Sequence, residues 1–457
     1  MENNSLGKLS KRNLWGYAFG AIPGGLLMYV FNLKYIELFY NDLSLLPLYF
    51  IIGQIIYMTV NALNDPLLGH LSDSTNREKW GSRRIIYIKY GAPIWALSFL
   101  LVWFPWSYDN QIIIFIHYTI SICLFDTMFS LVVMSWMALL PEMTSDIGER
   151  NKANFLGLLL GAFAVVPFLI ILGAMDALSL IFQLLMILVA IISTIFTLLV
   201  AIMCEEKPEF QKDESFPLWK SVKETVKLKS YLFFLGFSFC NNLTASIGIS
   251  YLFAYSLILG ENAFMVMVIY FLIFVVVGYG SYIVCLKLEP RWGMRKVILR
   301  FGILRVIGSI IIFILVISLA LDSLLWVGFI WLTFFGGYGV YIMGSLMYLS
   351  VDEDELKHGT RREGMFLGIN ALFMKPASSL GPIIATLIFL YFGYIQGSDT
   401  QPASALLGIK ILFLLVPAIF IAMSLIFMYF FPLHGEKLKD MRMKLEELHK
   451  QKRAKIQ

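Results

Sequence analysis

The chain has 457 residues, 59% of them hydrophobic and 15% charged, with a net charge of +5 and a mean hydropathy of +0.76. A soluble globular domain carries about a quarter charged residues, so one is excluded, and many separate apolar runs point to a polytopic membrane protein. The excess basic residues lie in short loops, which speaks for membrane orientation and against nucleic acid, and the four scattered cysteines lack metal-ligand spacing.

The polar start, "MENNSLGKLSKRN", runs straight into an apolar stretch, so no cleaved signal peptide is expected. At roughly twenty residues per crossing, twelve helices are expected. Their limits are near 14–40, 44–72, 85–106, 111–141, 153–174, 178–203, 231–259, 263–287, 296–321, 324–350, 364–394 and 404–431. The polar loop 204–230 separates a first half (1–203) from a second (231–431), and a basic tail follows over 432–457. One set of loops carries Lys8, Lys11, Arg12, Arg83, Arg84, Arg150, Arg291, Arg295, Arg361 and Arg362, whereas the alternate set has no Lys or Arg. The positive-inside rule then places both termini in the cytoplasm of a cell-membrane protein.

In the first span, Lys34 and Glu37 stand three residues apart and can neutralise each other. The second span ends in "NALNDPLLGHLSD", residues 61–73. Gln54, Tyr57, Asn61, Asn64, Asp65 and Ser72 recur at three- and four-residue steps and share a helix face. Lipid cannot satisfy such a stripe, so it must face other helices or a wet cavity. Pro66 leaves the carbonyl of Ala62 without its usual donor. Asp65, Asn61, Asn64 and that carbonyl make an oxygen-rich site for a small cation or a proton. The competing reading is helix–helix hydrogen bonding alone. A magnesium-binding prenyltransferase motif would need another acid one turn later, where Leu68 stands, so an enzyme is not expected.

Asp126 lies mid-span in the fourth helix and Lys375 well inside the eleventh. Unpaired charges at that depth are costly, which favours function. If Asp65, Asp126 and Lys375 share a cavity their sum is −1, and one monovalent cation brings it to zero. "CNNLTAS" in the seventh span supplies Asn241, Asn242 and Thr244, to donate to a polar substrate or to bridge helices. Trp136, Tyr251, Tyr255, Tyr338 and Tyr341 are candidate cavity aromatics, although most aromatics in such a chain serve packing. "KWGSRRII" and "RWGMRKVI" occupy equivalent loops of the two halves, and "ERNKANFLG" and "RREGMFLG" repeat at nearly the same spacing. The halves are therefore expected to be structural copies, a transporter architecture.

Several long stretches resemble the glycoside–pentoside–hexuronide:cation symporters of the major facilitator superfamily. They are "YAFGAIPGGL", "NDPLLGHLSD", "ALLPEMTSDIGERNKANF", "DEDELKHGTRREGMFLG" and "KPASSLG". The resemblance implies an all-helical fold of two six-helix bundles. It also implies alternating-access symport of a small polar solute, often a sugar, with Na+ or H+ and no other cofactor. Asp65 and Lys375 match family positions, but Asn61, Gly25 and Val133 stand where the sugar permeases keep acids. Relatives in this branch carry lipids, so a lipid, lysolipid or uncoupled carrier is the alternative. The gating motif would use Gly69, Asp73, Arg83 and Arg84, with Arg361, Arg362 and Glu363 in the second half. Gly69 would permit close helix approach, Asp73 would pair across the bundle interface, and the twin "RWGMRK" lacks the matching acid. A monomer in the bilayer, binding a small molecule and no nucleic acid, is expected; the tail would lie on the membrane surface.

Overall fold

The computed structural model describes residues 9–73, 75–144, 147–173, 175–206, 225, 227–259, 263–339, 346–359 and 363–454. A helical segment stands at each expected crossing. The first six are α1 (Lys11–Asp42), α2 (Pro47–Asp73), α3 (Ile85–Trp103), α4 (Gln111–Met143), α5 (Ile147–Gly173) and α6 (Leu180–Met203). The second half begins with α7 (Lys229–Ser250), extended by Leu252–Leu259. Then comes α8, in three consecutive pieces Ala263–Ile273, Phe274–Gly278 and Tyr279–Trp292. The rest are α9 (Met294–Leu319), α10 (Leu324–Phe334, resuming as Met347–His358), α11 (Glu363–Phe392) and α12 (Ala403–Tyr429). A further helix, α13 (Gly435–Ala454), forms the tail. No strand occurs among the described residues, and most of the expected central loop lies outside them.

Eight of the described helices are individually long and apolar enough to cross a membrane. Helix α2 falls short because its polar stripe dilutes the apolar run, and α10 because it breaks after Phe334. The helix α2 continues without interruption through Pro66.

In the first half α3 packs on α4 and α6, α2 on α4, and α1 on α5 and α6. In the second, α7 packs on α11 and α12, and α9 on α10 and α12. Between the halves α2 lies along α11, α1 touches α7 and α5 touches α8. At the face opposite the basic loops the halves are tied by hydrogen bonds. Asn41 Oδ1 accepts from the Tyr394 hydroxyl and from the Gly397 N–H, each at 3.0 Å, and Gln396 Nε2 donates to the Leu45 carbonyl at 2.9 Å.

The repeated loop motif shares one backbone feature. Trp80 ends a short helix, Arg77–Trp80, and Trp292 ends α8; the glycines that follow, Gly81 and Gly293, both take φ +77°. Gly293 has ψ 146°, a region open in practice to glycine alone. A basic side chain covers each indole: Lys79 Nζ lies 5.6 Å from the Trp80 ring and Arg300 Cζ 4.2 Å from the Trp292 ring. The repeat of conformation is confined to the glycine: α9 starts directly after Gly293, at Met294, whereas α3 starts four residues after Gly81, at Ile85. Replacing Gly293 by alanine is expected to destabilise the protein by about 1–2 kcal/mol. Gly280→Ala, at a helical glycine with nothing within 4 Å of an added Cβ, should be neutral or better. Thermal unfolding of the two purified variants checks this.

Candidate functional site

The polar stripe of α2 is spent turn by turn on its neighbours. Nearest the face away from the basic loops, Gln54 Nε2 donates to the hydroxyls of Tyr35 (3.1 Å) and Tyr118 (2.6 Å). Next, the Tyr57 hydroxyl donates to Asp126 Oδ1 at 3.3 Å. Asn64 Nδ2 donates to Asp126 Oδ2 at 3.3 Å and to Thr127 Oγ1 at 2.9 Å. Asp65 Oδ1 then receives Lys375 Nζ at 2.5 Å, across the boundary between the halves, and the same ammonium donates to Ser130 Oγ on α4 at 2.9 Å. Three helices therefore meet at one nitrogen.

Asp126 and Ser130 are one turn apart on α4, so the second carboxylate stands beside this knot, within electrostatic reach of both Lys375 and Asp65. Asp126 is 2% exposed, whereas the Asp65 and Lys375 side chains keep 15% and 20%. The pair is reachable and Asp126 is not. Two carboxylates and one ammonium leave a formal charge of −1. One oxygen close by in sequence is uncommitted: Asn61 Oδ1, one turn before Asp65, is buried without a hydrogen-bond partner. Buried polar atoms are nearly always paired, so such an orphan marks a place where a ligand can be accepted.

A second feature lies in the other half. A cavity of about 620 Å³ is walled by α7, α8, α9, α10 and α12, and Asn241, Asn242 and Thr244 line it. The Asn241 side chain is oriented by Nδ2 donating to the Phe237 carbonyl at 2.8 Å and by Oδ1 accepting from the Tyr338 hydroxyl at 3.4 Å. Asn242 Nδ2 reaches the sulfur of Met374 at 2.9 Å, the residue next to Lys375. That contact links the cavity wall to the charged knot.

Several expected positions are placed differently. Gln54, Tyr57 and Asp126 line neither this cavity nor the smaller one described below: Gln54 of α2 is spent on the hydroxyls of Tyr35 on α1 and Tyr118 on α4, and Asp126 of α4 is spent on Tyr57 and Asn64 of α2. Trp136 stacks on Tyr17 with ring centroids 4.9 Å apart and donates its Nε1 to the Tyr17 carbonyl at 2.9 Å, a helix-packing role. Gly25 is half-buried on α1. Its neighbour Gly24 would carry a Cβ 3.9 Å from Val133, so the position corresponding to the sugar permeases' α4 acid meets α1 in an apolar contact. Tyr251 is spent on the Pro382 carbonyl.

The expected gate also changes. A Cβ at Gly69 would sit 3.6 Å from Met134, ordinary contact, so close approach does not require glycine there. Gly69 instead borders a small cavity of about 250 Å³ with Ser72 and Arg84. Arg84 is held by Glu142, Nε to Oε1 at 2.9 Å, and by Ser72. The start of α3 is capped by Glu206, whose carboxylate accepts from the backbone N–H groups of Arg83 (2.8 Å), Arg84 (2.7 Å) and Ile85 (2.8 Å). A carboxylate on unpaired N–H groups at a helix N-terminus is favoured by both hydrogen bonding and the helix dipole. In the twin loop Arg295 Nε donates to the Met428 carbonyl at the end of α12 instead, at 3.2 Å. Arg295 is the counterpart of Arg83, whose N–H meets Glu206, so one end of the repeat is held by an acid and the other by a helix C-terminus. Tyr341, Arg361 and Arg362 lie outside the described residues, as do the side chains of Asp73 and Glu363.

Sequence reasoning missed Ser130, Glu206 and Arg305. Ser130 is one turn after Asp126, a spacing that was available. Glu206 gave no signal, because capping across more than a hundred residues is a tertiary event. Arg305 stood in the middle of an apolar span, a sufficient signal by itself.

Residues 16–435 match the family described as MFS/sugar transport protein. The chain belongs to this family. The relatives and structural neighbours below that are named for a function are membrane transporters, not enzymes, and the chain is a multi-pass membrane protein of this family. It is 25% identical to the uncharacterized symporter YnaJ of Bacillus subtilis over 98% of each chain. The isoprimeverose transporter of Lactiplantibacillus pentosus is 23% identical over 92% of this chain and 88% of that one. The sodium-dependent lysophosphatidylcholine symporter 1 of Xenopus tropicalis is 22% identical over 92% and 87%. A match at 27% to chicken transmembrane protein 180 spans only 26% of that protein and 28% of this chain. Among solved structures, an inward-facing bacterial homolog of the lysosomal transporter Spinster has a TM-score of 0.63 at 11% identity, covering 92% of this chain and 95% of that one; it shows the shared fold.

Removing one partner of the pair between the halves leaves a charge stranded at membrane depth. Lys375→Met is therefore expected to cost about 3 kcal/mol, and the double variant Asp65→Asn/Lys375→Met to recover more than half of that. Thermal unfolding of the purified single and double variants measures the difference.

Proposed function

We propose that the chain is a symporter of the cell membrane, with both termini cytoplasmic, that couples entry of one Na+ or H+ to movement of a small organic solute. The supporting observation is the knot of Lys375, Asp65 and Ser130, which joins the halves and has Asp126 beside it. With Lys375 on Asp65, one negative charge is left over. A cation or proton arriving at Asp65 competes with Lys375 for the carboxylate, and the orphan oxygen of Asn61 is the added ligand on the same helix face. Loss of the ion pair loosens α11 from α2, the contact about which the halves rock. A cavity carrying net charge resists closure in a low dielectric, and one neutralised by its cation does not.

The solute occupies the cavity of the second half. Its polar groups meet Asn241, Asn242 and Thr244, and Asn242 senses α11 through Met374. No carboxylate is among the lining residues. A sugar would therefore be held without the paired acids that normally accept from hydroxyls.

Asp65→Asn in proteoliposomes should abolish accumulation driven by a cation gradient and leave solute counterflow at a substantial fraction of wild type. Separate sodium and pH gradients identify the ion. Equal loss of both activities in a folded variant would remove Asp65 from coupling.

A further inference from the structure

The cations that lie deep in the described helices are answered by acids. Lys34 holds Glu37 at 2.8 Å, Lys375 holds Asp65 at 2.5 Å and Lys410 holds Asp322 at 2.6 Å. Arg305 is different. It stands near the middle of α9 and lines the 620 Å³ cavity, where it is the only charged residue among the described lining residues. Its Nε is buried without a hydrogen-bond partner. The sequence supplies no candidate either: the helices around the cavity carry no Asp or Glu between Lys229 and Leu259, between Ala263 and Leu288, between Met294 and Leu321, from Ser323 to Val351, or in 403–431. A guanidinium at this depth needs a counter-charge, and the walls hold none.

A second donor shares the cavity. Tyr255 is 2% exposed and its hydroxyl is buried without a partner. Tyr270 lies within electrostatic reach of both Tyr255 and Arg305. Gly336, in the break of α10, stands close to the guanidinium: a Cβ there would sit 2.8 Å from the Leu332 carbonyl, 3.1 Å from Arg305 Cζ and 3.2 Å from Nη2. The remaining wall is mostly aromatic. It continues to Phe274 and Tyr279, 53% and 66% exposed, on the flank of α8 where the helix widens to a π turn.

We propose that this cavity binds an oxyanion, a carboxylate or phosphate group, carried on an apolar body. Arg305 meets the anion with its fork of donors, Tyr255 adds a hydrogen bond, and the aromatic wall toward Phe274 and Tyr279 takes the body. The substrate class rests on reading the cavity as the cargo site; the binding of such an anion does not depend on cation coupling. The same chemistry is found in a membrane amphiphile and in a soluble aromatic or alkyl anion.

The test is binding to the purified full chain in lipid nanodiscs, read by thermal shift and by competition. Decyl phosphate is set against decanol, and phenyl phosphate against phenol. The phosphates should raise Tm and the neutral partners should not. Arg305→Gln should weaken phosphate binding at least tenfold, Tyr255→Phe a few-fold, and Arg305→Lys should retain part of it. The wild type itself separates the two readings: no Tm rise with decyl phosphate overturns this one whatever Asp65→Asn does to cation-driven accumulation, and a rise upholds it even where that accumulation survives the substitution. Binding of decyl phosphate alone supports the proposal with a lipid source, and equal binding of phenyl phosphate supports it with a soluble one. Neutral compounds binding as well as the phosphates, or Arg305→Gln binding within twofold of wild type, would overturn it. Should Arg305→Gln fail to fold, the double variant Arg305→Lys/Tyr255→Phe keeps a cation and removes both the fork and the hydroxyl, and phosphate binding within twofold of wild type by that variant would be equally fatal.

Discussion

Hydrocarbon cannot solvate a charge, and this constraint arranges the interior of the protein. Lys34, Lys375 and Lys410 each meet a carboxylate within the fold. Two of these pairs stay within one half. The pair of Lys375 and Asp65 crosses between halves and draws in Ser130 as well, so α2, α4 and α11 are registered at one atom. A contact of this kind specifies an arrangement more than it stabilises one, because the desolvation of both ions offsets most of their attraction. That balance suits a joint that has to open.

The cavity and the charged knot are distinct but mechanically connected. Helix α7 lines the cavity and packs along α11, and the approach is close: a Cβ at Gly381 would fall 1.9 Å from Ser246 Oγ. Asn242 bonds to Met374, the neighbour of Lys375. Displacement of α11 on release of Lys375 is therefore carried to the wall where the solute is held. Tight packing transmits such a shift because an interior at crystal-like density has little free space to absorb it.

The two halves share a glycine turn and little else of the loop motif. Gly81 and Gly293 share a φ value, and each follows a tryptophan covered by a basic side chain. Beyond that the halves part. The N–H groups of Arg83, Arg84 and Ile85 are answered by Glu206, whereas Arg295, the counterpart of Arg83, rests on carbonyls at the end of α12.

The sequence by itself determined the class of fold, since apolar runs of membrane length leave the backbone no option but helix. It also determined that Asp65, Asp126 and Lys375 needed partners, because burial of an unpaired charge is costly whatever surrounds it. The identity of those partners was a tertiary decision. Gln54, Tyr57 and Asn64 read as cavity residues from their spacing, yet each found a donor or acceptor on a neighbouring helix that no periodicity encodes. The same holds for Glu206, which caps a helix more than a hundred residues away in sequence. Spacing along a helix fixes which residues share a face; only the packing of that face fixes whether it meets solvent, ligand or another helix.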